Sequence, residues 1–365
     1  MLRPVLVVLL ASFLPIYALY APIDNASPQI VPQVPKPTKI HSSDSTPRPL
    51  VIWHGLGDSY NAPGMLQFIE MVKEAIPGIF VHSVYLDEDQ DKDRQAGFYG
   101  NVNDQVKLVS EQLTAIPELQ IEGGFDAMGF SQGGQFLRAY VERYNSPPVH
   151  NLLTFGSQHM GISDIPPCRP YDLLCQVARR ATRAGVYGSW AQENLVQAQY
   201  YRDPNNLATY LTANHFLADI NNELIPLSSG GNETYAKNLA SLNKLILILF
   251  TEDKTVVPKE SSWFGSEAAE GDELAPSYGR RPGFNEGYKG SQEQIQLVPP
   301  QARSEPVFQL SKQIIPMHSQ PLYIEDWIGL RTLDERGDVE LQTCKGEHMQ
   351  LDGCWEDLVA KWVGK

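Results

Sequence analysis

Basic residues are scarce in this 365-residue chain: 29 Lys and Arg stand against 43 Asp and Glu, a formal charge of −14, and no basic run exceeds Arg179-Arg180 or Arg280-Arg281. Binding to a phosphate backbone draws its affinity from clustered Lys and Arg, so nucleic acid is excluded as a partner. Neither a G-x-G-x-x-G nor a phosphate-loop lysine is present, which argues against nucleotide binding. Cysteine is limited to Cys168, Cys175, Cys344 and Cys354, without C-x2-C or zinc-type His spacing, so a zinc site is not expected. Neither a metal nor a cofactor is called for. Beyond the first 23 residues no apolar run is long enough to span a bilayer.

The leader that does carry an apolar run has Arg3 ahead of residues 5–14 and small residues at Ala18 and Ala21. This pattern of charge, about ten apolar residues and a cleavage zone reads as a secretory signal peptide over residues 1–20. An uncleaved anchor is the competing reading, but Pro15 and Pro22 interrupt the run. A secretory route leading to a lysosome, a vacuole or the outside suits the even cysteine count. Pairing sequence neighbours, Cys168 with Cys175 and Cys344 with Cys354, closes the shortest of the three possible sets of loops. Sequons at Asn25 and Asn232 suit glycosylation, the first weakened by Pro28.

Residues 21–47 are rich in Pro, Ser and Thr and read as a disordered leader. From residue 48 onward strands and helices alternate. Strands are expected at 49–53, 79–85, 125–130, 152–155, 245–250 and 339–342, and helices at 65–75, 102–116, 132–144 and 355–363. Alternation with near-continuous apolar strands predicts an α/β fold, a mostly parallel central sheet covered by helices on both faces. Two stretches break the rhythm. Residues 157–243 read as a helical cap insertion, with helices at 172–184 and 200–220. Residues 266–305, rich in Gly, Pro, Ser and Glu, read as a disordered insertion loop.

The chemistry-bearing phrase is Gly129-Phe130-Ser131-Gln132-Gly133, a G-x-S-x-G between a strand and a helix. That context makes Ser131 a nucleophile on a sharp turn, where the competing reading is a helix-capping serine. A serine needs a histidine base and a carboxylate to orient it. In α/β-hydrolases these follow in the order Ser, acid, His, each after a strand. Asp253, three residues past the strand ending at Phe250, is the expected acid, with Glu252 as its alternative. His348, after the strand at 339–342, is the expected base, and a Cys344–Cys354 bridge would brace its loop. His159 precedes both acids, so a cap or loop role is expected for it, and His54 reads as a hydrogen-bonded structural histidine. The backbone N–H groups of Gln132 and of Leu56, in the Gly55-Leu56-Gly57 turn, are the expected oxyanion donors.

Beyond the bare motif, the sequence resembles the palmitoyl-protein thioesterases, of the lysosomal type in animals. The resemblance is carried by Val51-Ile52-Trp53-His54-Gly55-Leu56-Gly57-Asp58-Ser59, by Gly129-Phe130-Ser131-Gln132-Gly133-Gly134-Gln135-Phe136-Leu137-Arg138-Ala139 and by Ser146-Pro147-Pro148. It continues through Phe216-Leu217-Ala218-Asp219-Ile220-Asn221, Trp263-Phe264-Gly265 and His348-Met349-Gln350-Leu351, spanning about residues 48 to 365. It implies an α/β-hydrolase fold and hydrolysis of thioester-linked palmitate from protein cysteines. The family's nucleophile, acid and base fall on Ser131, Asp253 and His348, and its oxyanion donors on Leu56 and Gln132. Its short-range cap disulfide matches Cys168 and Cys175. S-acylated proteins or peptides are then the substrates, transient contact with a lipid surface is compatible with them, and a monomer is expected. Leu56 stands where the animal enzymes usually have methionine, and Cys344 with Cys354 is not a pair expected from them. A fatty chain needs an apolar groove, for which Leu174, Val177, Leu207, Tyr210 and Leu211 of the cap are the expected lining. A secreted lipase or esterase acting on oxygen esters, or a non-catalytic acyl-lipid binding protein, are the rival readings of the same machinery.

Overall fold

A computed structural model describes residues 46–164, 185–224, 232–270 and 313–365. The chain divides at residue 38, and the second of its two units, residues 39–365, carries everything described below. The expected signal peptide, the leader up to residue 45, Asn25, Cys168, Cys175, Leu174, Val177 and the stretch 271–305 lie outside the described residues.

Six strands, β1 (Leu50–Trp53), β2 (Val81–Ser83), β3 (Phe125–Phe130), β4 (Val149–Phe155), β5 (Lys244–Phe250) and β8 (Val339–Cys344), form a parallel sheet in the order β2-β1-β3-β4-β5-β8. Alternate strand residues serve opposite faces. Val51 and Trp53 of β1 and Leu245 and Leu247 of β5 pack into one core, with Val106, Val109 and Leu113 of helix α3 (Val102–Thr114) and Phe136, Leu137 and Tyr140 of helix α4 (Gln132–Arg143). Leu50, Ile52, Ile246 and Ile248 pack into the other, with Met65, Phe68 and Val72 of helix α1 (Pro63–Ala75) and Trp355 and Val359 of the final helix Trp355–Trp362. This two-sided burial is why the strands read as continuous apolar runs. The expected α/β-hydrolase arrangement, a parallel sheet flanked by helices, is the one observed.

The differences from the sequence expectation have local causes. Helix α2 (Gln90–Ala96) shows no apolar stripe because only Asp93 is buried on it, and its start is set by Asp89, whose side chain accepts the N–H groups of Asp91 and Lys92. The single helix expected over 200–220 is broken into Leu207–Ala213 and Leu217–Ile220, with a 3₁₀ turn at Pro204–Asn206. The break lies at Asn214, whose side chain accepts the N–H groups of Phe216 and Ala218 and so starts the second segment. The stretch expected to be disordered from residue 266 begins with ordered backbone. Ser266–Glu267 (β6) is buried and pairs antiparallel with Ile314–Ile315 (β7), and Gln320 Nε2 donates to Ser266 Oγ at 2.9 Å.

Candidate active site

Ser131 stands between β3 and α4 with φ 52° and ψ −123°, a conformation costly for any residue with a side chain. Its N–H donates to Phe155 O at 2.7 Å, pinning the turn to β4. The two motif glycines are required by close approach. A Cβ on Gly129 would lie 2.2 Å from Gly134 Cα, and one on Gly133 would lie 2.3 Å from Trp53 O. Only bare backbone fits, and the turn delivers the serine hydroxyl at the carboxyl end of the sheet.

Asp253 and His348 are brought to the same point from β5 and β8. Ser131 Oγ donates to His348 Nε2 at 3.0 Å, and His348 Nδ1 donates to Asp253 Oδ2 at 2.6 Å. Asp253 is itself held, because its other oxygen accepts the N–H groups of Thr255 at 2.8 Å and Val256 at 3.0 Å. Glu252, the alternative acid, is exposed and points to no histidine, its N–H donating to Gly346 O. A disulfide joins Cys344 to Cys354 and closes the loop that carries His348. The same loop is tied to the β5 end by Thr251 N–H donating to Cys344 O and by Gly346 N–H donating to Thr251 Oγ1.

The N–H groups of Leu56 and Gln132 flank this serine, and neither finds an acceptor among the described residues. Gln132 opens α4, where the first-turn N–H groups have no partner within the helix. Its side chain is anchored, donating from Nε2 to Gly97 O at 3.2 Å and accepting from Tyr200 OH at 3.2 Å.

His159 and His54 are held by structural contacts. His159 is buried, stacks on Phe264 at 4.7 Å between ring centroids and pairs its Nε2 with Thr154 Oγ1 at 3.0 Å. Burial and the nearby Arg138 guanidinium push its pKa well down, which keeps it neutral. His54, as expected, is hydrogen-bonded: Nδ1 donates to Gly55 O at 3.0 Å, and Nε2 lies 3.2 Å from Asp93 Oδ2. Asp93 was not legible as a partner. Its carboxylate also accepts Tyr60 N–H at 2.8 Å and Leu86 N–H at 2.7 Å, and so ties the loops after β1 and β2 together behind the turn that carries Leu56.

Burial alone would lower the His54 pKa, but contact with Asp93 outweighs it and the value rises above 6.5. Burial would raise Asp93, yet His54 and the two N–H groups hold it below 3.8. The histidine's contribution is full below 6.5 and is lost as pH climbs through its raised value, whereas the aspartate's is present above 3.8 and lost as pH falls through its depressed value. The pair is therefore at full strength between these two values. Asp93→Ala is expected to lower stability by about 3–5 kcal/mol at pH 5, as breaking a buried pair does, and by less at pH 9. Denaturant unfolding at the two pH values measures this, and an unchanged midpoint at pH 5 would contradict it.

A cavity of about 510 Å³ opens beside Ser131 and His348. Met65, Phe68, Phe130, Val256, Met349 and Leu351 make its apolar wall, and Gln158, Gln197 and Tyr200 lie among the other lining residues. The expected cap lining is corrected. Tyr210 is buried with its hydroxyl donating to Glu223 Oε2 at 2.6 Å, and Leu207 and Leu211 pack against the core; from the 157–243 stretch it is Ile162 and Tyr200, with Gln158 and Gln197, that line the cavity, beside α1, the sheet end and the His348 loop. Among the described residues no three His, Cys, Asp or Glu side chains converge as metal ligands do, and no helix is long and apolar enough to cross a membrane. Asn232 is exposed at the start of helix Glu233–Ala240, its Oδ1 accepting Thr234 N–H.

The family model described as palmitoyl protein thioesterase matches residues 49–348, most of the chain, including Leu56, Ser131, Gln132, Asp253 and His348. The chain belongs to that family. Palmitoyl-protein thioesterase 1 of Caenorhabditis elegans is 37% identical over 304 residues, covering 83% of this chain and 87% of that one. Palmitoyl-protein thioesterase 3 of Dictyostelium discoideum is 29% identical, covering 83% and 86%. Lysosomal thioesterase PPT2 of Rattus norvegicus is 25% identical, covering 86% and 83%.

Proposed function

We propose that the protein hydrolyses thioesters of long-chain fatty acids with cysteine residues of proteins or peptides, palmitate being the reference chain, through an acyl-Ser131 intermediate. The observation that carries this reading is the hydrogen-bonded chain Ser131–His348–Asp253 at the edge of an apolar cavity. His348 Nε2 takes the proton of Ser131 Oγ as the oxygen bonds to the thioester carbonyl carbon, and Asp253 stabilises the imidazolium that forms. The carbonyl oxygen, now an anion, is received by the N–H groups of Leu56 and Gln132, each such donor being worth roughly 10²- to 10³-fold in rate. Collapse of the intermediate breaks the carbon–sulfur bond, and the cysteine sulfur leaves with the proton held by His348. A thiol, with a pKa near 8.5, is a far better leaving group than an amide nitrogen. Water deprotonated by His348 then cleaves the acyl-serine ester and restores the enzyme. The apolar wall suits the fatty chain, whose burial contributes about 0.8 kcal/mol per methylene.

Kinship with palmitoyl-protein thioesterases favours the thioester over the oxygen ester, and the lysosomal relative favours a secretory route ending in a lysosome or vacuole. Asn232, exposed and in an intact sequon, is the proposed glycosylation site of the described residues. The test is a comparison of purified protein on a palmitoyl thioester and on the matching oxygen ester, with Ser131→Ala in parallel. A preference for the thioester of at least tenfold, abolished in the variant, is expected. Preference for the oxygen ester would replace this reading with a lipase, and lipid binding without Ser131-dependent turnover would replace it with a non-catalytic acyl-lipid binder.

A further inference from the structure

We infer that Gln158 is the residue by which this site recognises the peptide half of an S-acyl-cysteine substrate. The inference rests on the thioesterase reading and adds to it the part of the substrate beyond the sulfur. Gln158 and Gln197 line the cavity and Gln132 follows Ser131 in the chain; Gln197 and Gln132 are used by the protein itself. Gln132 is held between Gly97 O and Tyr200 OH, and Gln197 Nε2 donates to Gly97 O at 3.0 Å. Gln158 lines the same cavity as Ser131 and His348 and is only 2% exposed, yet its Oε1 has no hydrogen-bond partner, and its amide nitrogen donates to no group among the described residues. A buried amide left unpaired costs about 1–3 kcal/mol, so its retention against a cavity calls for a partner that arrives with the ligand.

Its backbone is fixed for that purpose. Gln158 O accepts from Gln135 Nε2 at 2.6 Å and from Gly161 N–H at 2.9 Å, and the next residue, His159, is locked between Thr154 and Phe264. The amide is thus presented from a rigid turn at the carboxyl end of β4.

The chemistry of the substrate leaves one place for this amide to bond. A fatty chain has no hydrogen-bonding group, and the thioester carbonyl is already matched to the Leu56 and Gln132 N–H groups. What remains is the leaving-group side, where a cysteine within a peptide offers an N–H and a C=O on either side of its Cα. A primary amide, with an acceptor oxygen and an NH₂ that carries two donors, is suited to such a peptide group. An unpaired site group of this kind discriminates strongly against substrates that lack its partner.

The experiment compares wild type with Gln158→Met and Gln158→Leu, which keep the volume and remove the amide, on two thioesters. One is an S-palmitoyl-cysteinyl peptide acetylated and amidated at its ends, and the other is S-palmitoyl-mercaptoethanol, which has no peptide group. Active sites are counted with a fluorophosphonate, so a variant that folds poorly is corrected for, and the second variant decides if the first does not fold. The expected result is a loss of about tenfold in kcat/KM on the peptide, with the mercaptoethanol thioester changed by less than twofold. Equal losses on both substrates would reduce Gln158 to a scaffold residue, and an unchanged peptide rate would remove it from recognition; either result overturns the inference. Failure of the thioesterase reading is separately visible, because wild type would then turn over neither thioester.

Discussion

Ser131→Ala is expected to lower kcat on a palmitoyl thioester by about 10⁴- to 10⁶-fold while KM stays within a few-fold, because the lost hydroxyl acts at the reacting carbon and not in holding the acyl chain. Asp253→Asn is expected to lose less, about 10²- to 10⁴-fold. The amide can still accept the Thr255 and Val256 N–H groups at its oxygen, so the loop survives, but its NH₂ then faces His348 Nδ1 and favours the wrong tautomer. The two losses should not add in a double variant, since both act on one proton transfer. A companion measurement separates chemistry from folding. Ser131 holds φ 52°, a conformation that costs a side-chain-bearing residue about 1–3 kcal/mol and glycine far less. Ser131→Gly should therefore be as inactive as Ser131→Ala yet more stable than wild type, by about 1 kcal/mol once glycine's freedom in the unfolded chain is counted. Steady-state kinetics and denaturant unfolding measure both. Turnover within tenfold of wild type in Ser131→Ala would refute the nucleophile outright.

Much of this arrangement was legible in the sequence because it is written in local rules. G-x-S-x-G needs its glycines for contacts of about 2 Å that exist only at a strand-to-helix turn, so the motif and its geometry are one constraint. Chain order and strand ends then lead to Asp253 and His348. The inner strands β1, β3, β4 and β5 were legible from their apolar runs, which two-sided burial demands, whereas β2 and β8 at the sheet edges are only half-buried. What was not legible depends on contacts distant in sequence. Asp93 lies on a polar helix with no apolar stripe, and only the folded chain reveals that it answers His54 and two backbone N–H groups. The apolar wall of the cavity was sought at Leu207, Tyr210 and Leu211 but is made by Met65 and Phe68 on α1, Met349 and Leu351 beside His348, and Ile162, because helical spacing marks a residue as buried without saying what it is buried against. Gln158 was missed for the opposite reason. Its signal was position, three residues past the Phe155 that ends β4, and a polar side chain there becomes informative only once its neighbours are seen to leave it unpaired.

At the other end of β3 from Ser131, Asp126 sets a pH dependence that can be worked through in sign and size. It is fully buried, and its carboxyl is pushed up from 3.8 to about 7 by that burial, against the opposing pull of the Gly364 N–H at 2.8 Å, the Arg48 guanidinium at 3.8 Å and Asn151. The folded state therefore keeps a proton that the unfolded chain releases. The stabilisation is fully present below 3.8 and is lost as pH rises through about 7. At 1.36 kcal/mol for each pH unit separating the two values, the loss amounts to about 4 kcal/mol. His54 and Glu142, the latter raised by burial to about 7, work in the same direction, whereas burial lowers the pKa values of His82, His150 and His159, which oppose it as pH falls below 6.5. Asp126→Asn keeps the shape and the acceptor for Gly364 but has no proton to lose. Thermal unfolding at pH 5 and pH 8 is expected to show Asp126→Asn losing clearly less stability between the two than wild type does, the difference in slope belonging to Asp126. Equal slopes in both proteins would mean that Asp126 is charged in the folded state.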